Sequence, residues 1–339
     1  VETIFDIQSF DRDKVHWEDY LFVPTPIEEV KGIRFKREDK FAPLGYGNIN
    51  GSKMRQCLWL VDSWVKDKNI NGVVSGSVVG SPQHPFISAI CKHYGIESLI
   101  ATPAKDVKTH SNLAMAEEFG ATFHKTKIGY ARALQSISFK LAKELDNYEV
   151  LETNITVDEK LNPPQRIEAF HKIGSRQTEN IPDDIETLLI PVGSANSVVS
   201  VLYGLAMNMP KSLKTIVMFG IGNNGSYNLQ YIPHRLETIG RVINRNINSN
   251  FDFSTFSDSA DILSFLEEKN DGVKVELFNL NAMGYCEYSD MMPYRWGNID
   301  FHPRYEGKIM NWIEENPEEM KPYWNDKSLF WIVGNEPKL

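Results

Sequence analysis

The sequence is poor in cysteine: three residues among 339 (Cys57, Cys91 and Cys286), none at metal-ligand or redox-pair spacing. This excludes a disulfide scaffold and a thiolate metal site, so no metal is expected and the three read as free thiols of a reducing, cytoplasmic compartment. No apolar run is long enough to span a bilayer, and no secretory leader is evident after Val1. Positive charge is also in short supply, with 36 Lys and Arg against 45 Asp and Glu, a net charge of -9. That balance argues against a broad basic surface for a nucleic-acid backbone, while leaving room for a local basic patch. Internal repeats and low-complexity tracts are absent as well.

What remains is an ordinary globular composition, 42% hydrophobic and 24% charged, on a chain too long for one small core. Short apolar stretches alternate with helical ones. Strands are expected at 72–76, 98–101, 121–124 and 149–152, separated by helices at 83–94, 111–119 and 130–145. The continuous apolar run Thr187–Val192 reads as a buried parallel strand, and 215–219, 273–278 and 330–333 as further strands. Helices are expected from Val198 to Met207, through Arg235 and Arg241, over 260–269 and over 305–315. Residues 246–259 are polar and irregular and suggest no role. Such alternation signals an α/β fold of open parallel sheets with helices on both faces.

One stretch organises the chain. Lys36-Arg37-Glu38-Asp39 closes a strand and is followed by a loop containing Gly45, Gly47 and Gly51. A helix then begins near Ser52, with Lys53 in its first turn. A helix N-terminus is the positive end of the macrodipole and disfavours a cation, and a lysine amine that is neutral is a nucleophile. On spacing alone, a solvated lysine is the more ordinary reading. The K-R-E-D strand, the Gly/Asn-rich loop and G-S-K-M-R together resemble the N-terminal signature of the pyridoxal-phosphate (PLP) enzymes of fold type II. The subgroup resembled is that of 1-aminocyclopropane-1-carboxylate deaminase and D-cysteine desulfhydrase. The resemblance implies that Lys53 carries the cofactor as an imine, and that the cofactor lies in a cleft between two domains.

Other segments match more loosely. His302-Pro303-Arg304-Tyr305-Glu306-Gly307-Lys308 resembles the subgroup's D-P-V-Y-[ET]-G-K. By that resemblance Glu306 pairs with the pyridine nitrogen and Tyr305 faces the substrate, with Tyr285 a second active-site tyrosine. A carboxylate beside the nitrogen keeps it protonated and strengthens the electron sink. Gly193-Ser194-Ala195-Asn196-Ser197, between a strand and a helix, suits a phosphate through backbone N–H groups and the helix dipole, and suits an ordinary capped helix equally. The resemblance places the cofactor phosphate there. A Gly-rich turn, 220–225, is read as lining the cleft. Where the deaminases have Ser-Asn-His, this chain has Pro82-Gln83-His84, preceded by Ser81. Gln83 is expected to donate to the cofactor through its amide, and Ser81, Gln83 and His84 to meet the substrate. Pro82 cannot replace the serine, which puts the substrate in doubt.

The resulting expectation is a larger PLP-binding domain of residues 1–56 and 160–339, and a smaller α/β domain of residues 57–159. Function is expected to be a PLP-dependent lyase or deaminase acting at the α-carbon of an amino-acid-like substrate, with Lys53, Tyr305 and Tyr285 catalytic. The alternative is a PLP-dependent decarboxylase of an amino-acid-modified thymidine, since related proteins occur in viral pathways that modify DNA thymine; its partner would be a modified nucleotide or DNA, in the host cytoplasm. A third reading is a non-catalytic relative that binds a ligand. A homodimer is expected, with no membrane partner.

Overall fold

The computed structural model describes residues 20–46, 49–155, 157, 160–221, 225–246 and 273–337. In chain order, β1 (Ile27–Val30) and β2 (Ile33–Arg37) precede helix α1 (Gly51–Lys68). An alternating series follows: β3 (Gly72–Gly76), α2 (Gln83–Tyr94), β4 (Glu97–Thr102), α3 (Ser111–Glu118), β5 (Thr122–Lys125), α4 (Ala131–Glu144) and β6 (Tyr148–Leu151). Next come α5 (Pro164–Ser175), β7 (Thr187–Val192), α6 (Asn196–Met207), β8 (Thr215–Gly220), α7 (Gly225–Asn246) and β9 (Lys274–Asn279). The chain ends with β10 (Tyr294–Trp296), β11 (Ile299–Phe301), α8 (Glu306–Glu315), α9 (Pro317–Met320) and β12 (Ser328–Ile332). The helix expected over 260–269, the segment 247–259 and the centre of the 220–225 turn lie outside the described residues.

The chain gathers into two compact units. Among the described residues, 20–40 with 160–335 form one and 41–157 with 336–337 the other. The division at Phe41 precedes the one expected at residue 57, so the helix bearing Lys53 goes with the second unit.

The first unit holds a six-stranded sheet in the order β1-β2-β12-β7-β8-β9, parallel except for the edge strand β1. Its three central strands are apolar at every second residue on both faces, as a doubly covered sheet requires. Leu188, Ile190, Ile216, Met218, Leu329 and Trp331 enter one core, with Val198 and Val201 of α6 and Leu236 and Ile239 of α7. The intervening Leu189, Val217, Phe219, Phe330 and Ile332 enter the other, with Ile309, Trp312 and Ile313 of α8. Burial of this kind contributes roughly 1.5–3 kcal/mol per large side chain, which fixes the carboxyl ends of these strands as a rigid platform.

The second unit is a parallel sheet in the order β5-β4-β3-β6. Helix α4 crosses β3 so closely that a β-carbon on Gly76 would meet the Leu134 carbonyl at 2.7 Å. All three cysteines are buried and unpaired. Burial pushes the Cys57 thiol up to about 12, which makes it inert at neutral pH. Among the described residues, no helix is long and apolar enough to cross a membrane.

Candidate active site

In the second unit, the chain enters α1 through Gly51, whose φ of +92° is a conformation that side chains resist; its N–H donates to Phe41 O (3.0 Å). That bend places Lys53 in the first turn, half-buried, with no acidic residue in the turn to offset the helix dipole. Its ammonium has no hydrogen bond or ion pair with the described residues, and its charge is felt by Cys57 and His84. Such an amine, held by the fold without an anion, is suited to a carbonyl partner.

The neighbouring turn from β3 into α2 is closed. Pro82 and Pro85 have no N–H to offer. The Gln83 N–H donates to Ser81 Oγ (3.3 Å), and the His84 N–H to Ser81 O (3.4 Å). Hence the first turn of α2 has no spare backbone N–H for a carboxylate. Gln83 is fully buried, and its amide nitrogen donates to Ser75 Oγ (3.1 Å), Glu152 O (3.1 Å) and Leu151 O (3.4 Å). All three are acceptors, so the amide orientation is fixed and only its oxygen is unpartnered. The amide N–H groups expected to reach a cofactor oxygen have acceptors inside the fold. His84 is likewise turned inward, with Nε2 3.1 Å from Val78 O. Burial drives its pKa down to about 4, against the pull of that carbonyl, so the ring is neutral at pH 7. Ser81, Gln83 and His84 build the loop rather than project from it.

In the first unit, the turn from β7 into α6 differs. Ala195 stands as N-cap with φ +66°, no side chain caps the helix, and a β-carbon on Gly193 would meet nothing within 4 Å. Ser194 and Ser197 are half-buried; Asn196 is buried and opens the helix.

The 302–308 motif is assembled piece by piece. His302 Nδ1 accepts the Arg304 N–H (3.1 Å), a local cap that an aspartate could equally make. Gly307 is required by close approach: a β-carbon there would lie 2.2 Å from Met292 O. The buried Lys308 donates to the carbonyls of Glu287 and Tyr288 and so pins that segment. Tyr288 is thereby set beside Tyr305, hydroxyl to hydroxyl at 3.3 Å, with Arg304 and Lys308 5.6 and 5.9 Å from its ring centroid. Burial, then the Tyr288 hydroxyl, push the Tyr305 phenol well above its ordinary range, so it stays protonated at neutral pH and can donate a hydrogen bond. Glu306 is fully buried; Oε1 accepts the Val333 N–H (2.7 Å), and Oε2 has no partner. Burial pushes this carboxyl up to about 8, with Asp39 adding to the rise against the backbone N–H groups of 306, 333 and 334.

Tyr285 is not brought to this cluster. Its phenol, pushed up by burial and by Glu315, sits at the far end of α8, about 14 Å along the helix from Glu306. Tyr288, held by the Lys308 anchor that spacing does not reveal, is the tyrosine beside Tyr305. The half-buried Arg304 guanidinium packs against the Tyr288 ring.

No family model matches the chain. Among solved structures, the fold is similar to an ACC deaminase homologue (TM-score 0.66, 13% identity, 93% of this chain and 90% of that one). It is also similar to threonine deaminase isoform 2 of Solanum lycopersicum (TM-score 0.55, 14% identity, 93% and 80%) and to an L-serine ammonia-lyase of Rhizomucor miehei (TM-score 0.53, 12% identity, 94% and 95%). An amine without a partner, a buried acid with one unpartnered oxygen and an uncapped helix start beside open space also fit the aldehyde, ring nitrogen and phosphate of PLP. The chain belongs to the PLP-dependent enzymes of fold type II. Among curated proteins it is similar to the O-seryl-dTMP PLP-dependent decarboxylase of Salmonella phage ViI, at 37% identity over 100% of this chain and 88% of that protein. It is an enzyme, and its cofactor is PLP.

Proposed function

We propose that this enzyme removes CO2 from a seryl group carried through its oxygen on a thymidylate. The observation that carries the reading is the 37% identity with the phage decarboxylase along the whole of this chain. The closed α2 turn supports it. A clamp on the carboxylate stabilises the charged ground state of a group that must leave as neutral CO2, and here Pro82 and Ser81 leave the first turn of α2 no spare backbone N–H for such a clamp.

The balance of the reaction is simple. The bond from the α-carbon to the carboxylate breaks, its electron pair stays on the α-carbon, and one proton takes the place of CO2, leaving a 2-aminoethyl ether. PLP, when bound, supplies the electron sink for that carbon. Lys53 would bind it covalently, Glu306 would face the ring nitrogen, and residues 193–197 would take the phosphate. The demand on the chain is selective protonation. The seryl oxygen is β to the reacting carbon and would be lost if it were protonated first. Lys53 is the group we assign to deliver the proton to the α-carbon. Tyr305, kept protonated by burial and steadied by Tyr288, donates a hydrogen bond without becoming a base. The setting we propose is a phage-infected cell's cytoplasm, with a homodimer as the working assembly.

Incubation of the purified holoenzyme with O-seryl-dTMP tests this directly. CO2 and the 2-aminoethyl ether are the expected products. Ammonia with a keto acid, or release of the nucleotide hydroxyl, would instead establish the lyase reading.

A further inference from the structure

The chain is acidic overall, but its charge is unevenly spread. Residues 41–158 hold twelve Lys and Arg against eleven Asp and Glu, a net charge of +1 within a chain of -9. Within this unit the charge is segregated again. Glu97, Glu144, Asp146 and Glu149 lie where β4 and β6 begin. The opposite rim, where the parallel strands end, carries Lys105, Lys108, Lys127 and Arg132, all exposed. None of these four has an ion pair with a described residue, whereas Lys68 at the acidic rim is paired with Glu149. Of the acids on this rim, Asp106 is turned to the backbone, accepting the Lys108 N–H at 3.0 Å, and Glu152, after β6, is buried and accepts from Gln135 Nε2 at 3.0 Å. Between the cations stand two apolar side chains that the core does not use, Tyr130 (68% exposed) and Ile128 (43%).

These residues sit on braced loops. Lys125 Nζ ties the loop after β5 to the loop after β4 through Ala104 O (2.9 Å) and Lys105 O (3.4 Å). Thr126 N–H donates to Thr102 O (2.9 Å), and Gly129 packs so tightly on Pro103 that a β-carbon would lie 3.0 Å from its ring. Asn112 then carries the surface on to the loop before Gln83, donating to Gly80 O at 2.9 Å. The basic rim is thus continuous with the turn beside Lys53. Four unpaired cations around an exposed aromatic ring are the elements of a polynucleotide track, cations for phosphates and a ring for a base.

We infer that this rim, formed by Lys105, Lys108, Lys127, Arg132 and Tyr130, is the surface of this chain along which the DNA strand flanking a modified thymidine lies. The inference rests on the decarboxylase reading for the identity of the substrate, but the surface can be tested without it. The first probe is an unmodified, fluorescently labelled DNA oligonucleotide, single-stranded and duplex, titrated with holoenzyme and followed by anisotropy. Affinity should fall about 100-fold between 50 and 200 mM salt, as four phosphate contacts require. Lys105→Glu/Lys108→Glu/Lys127→Glu/Arg132→Glu should weaken binding by at least that factor at low salt and flatten the log–log salt slope by about three to four. Tyr130→Ala should cost at least about fivefold on the single strand. Lys140→Glu/Lys143→Glu, at the other end of α4, controls for net charge and should change little. Equal losses per charge in the control and rim variants, or no binding of either probe, would overturn the inference.

The second measurement compares kcat/KM for an oligonucleotide containing one seryl-modified thymidine with that for O-seryl-dTMP. The ratio should fall at least tenfold in the rim variant. A ratio unchanged by the variant, with CO2 released from both substrates, would refute the rim and leave the decarboxylase reading standing. No CO2 from either substrate, with rim-dependent DNA binding intact, would do the reverse.

Discussion

Two turns in this molecule have the same origin, a parallel strand running into a helix, and opposite characters. At the turn from Gly76 into α2 the N–H groups of the helix start are spent: two prolines bring none, and Ser81 absorbs those of Gln83 and His84. The turn from Val192 into α6 is uncapped by any side chain, strained at Ala195 and open beside Gly193. The difference teaches that a helix start at the carboxyl end of a sheet is only a potential anion site. Whether it acts as one depends on which residues have already taken its N–H groups. The function proposed above needs the turn at 193–197 to take a phosphate and the turn at Ser81 to leave a carboxylate unheld.

The comparison can be broken most severely at the amine beside the closed turn. Lys53→Ala should lower turnover by at least about 10³-fold and abolish the visible absorbance of the bound cofactor, with the circular dichroism unchanged. Ser81→Ala, which frees the Gln83 N–H, should keep the absorbance and lower turnover only severalfold. Next in size is the pH response of Glu306. Between pH 4.5 and about 8 its carboxyl is protonated in the folded apoprotein and ionised in the unfolded chain. Stability from this group is therefore complete below 4.5 and is lost as pH rises towards 8, at up to about 1.4 kcal/mol per pH unit. Glu306→Gln should remove that slope in urea titrations of the apoprotein; a slope that persists would assign the loss to another group. Gly193→Val places a side chain in the open space of the phosphate turn. Cofactor affinity, read by absorbance titration, should drop about tenfold while the apoprotein melts within a few degrees of the parent. The smallest effect is expected at Ala195→Gly, which relieves a left-handed alanine and should stabilise the fold by at most about 1 kcal/mol. A loss instead would mean that the alanine side chain, not its backbone, holds the turn.

Much of the architecture was legible because periodicity and punctuation agree in this chain. The bounds of β3, α2 and β7 follow from apolar runs closed by Gly, Tyr-Gly and Val-Gly. The motif at 302–308 was legible as well, although only the structure shows why Gly307 must be glycine. The hairpin of β10 and β11 was passed over even though Gly297-Asn298 is a turn signal, because its strands are three residues each and too short to show alternation. Edge strand β1 was hidden by two central glutamates facing partly into solvent. The choice of Tyr288 over Tyr285, and the inward orientation of Gln83, depend on partners 20 and about 70 residues away. No local pattern encodes such partners.

The central claim is that the α-carbon gains a proton in place of CO2 while the seryl oxygen is kept. Reaction of the holoenzyme with O-seryl-dTMP in D2O, followed by mass spectrometry of the nucleotide, examines that carbon. The account predicts a 2-aminoethyl ether carrying one non-exchangeable deuterium and one CO2 released per product. A nucleotide that has lost the whole seryl group, with ammonia and a keto acid in solution, would contradict it.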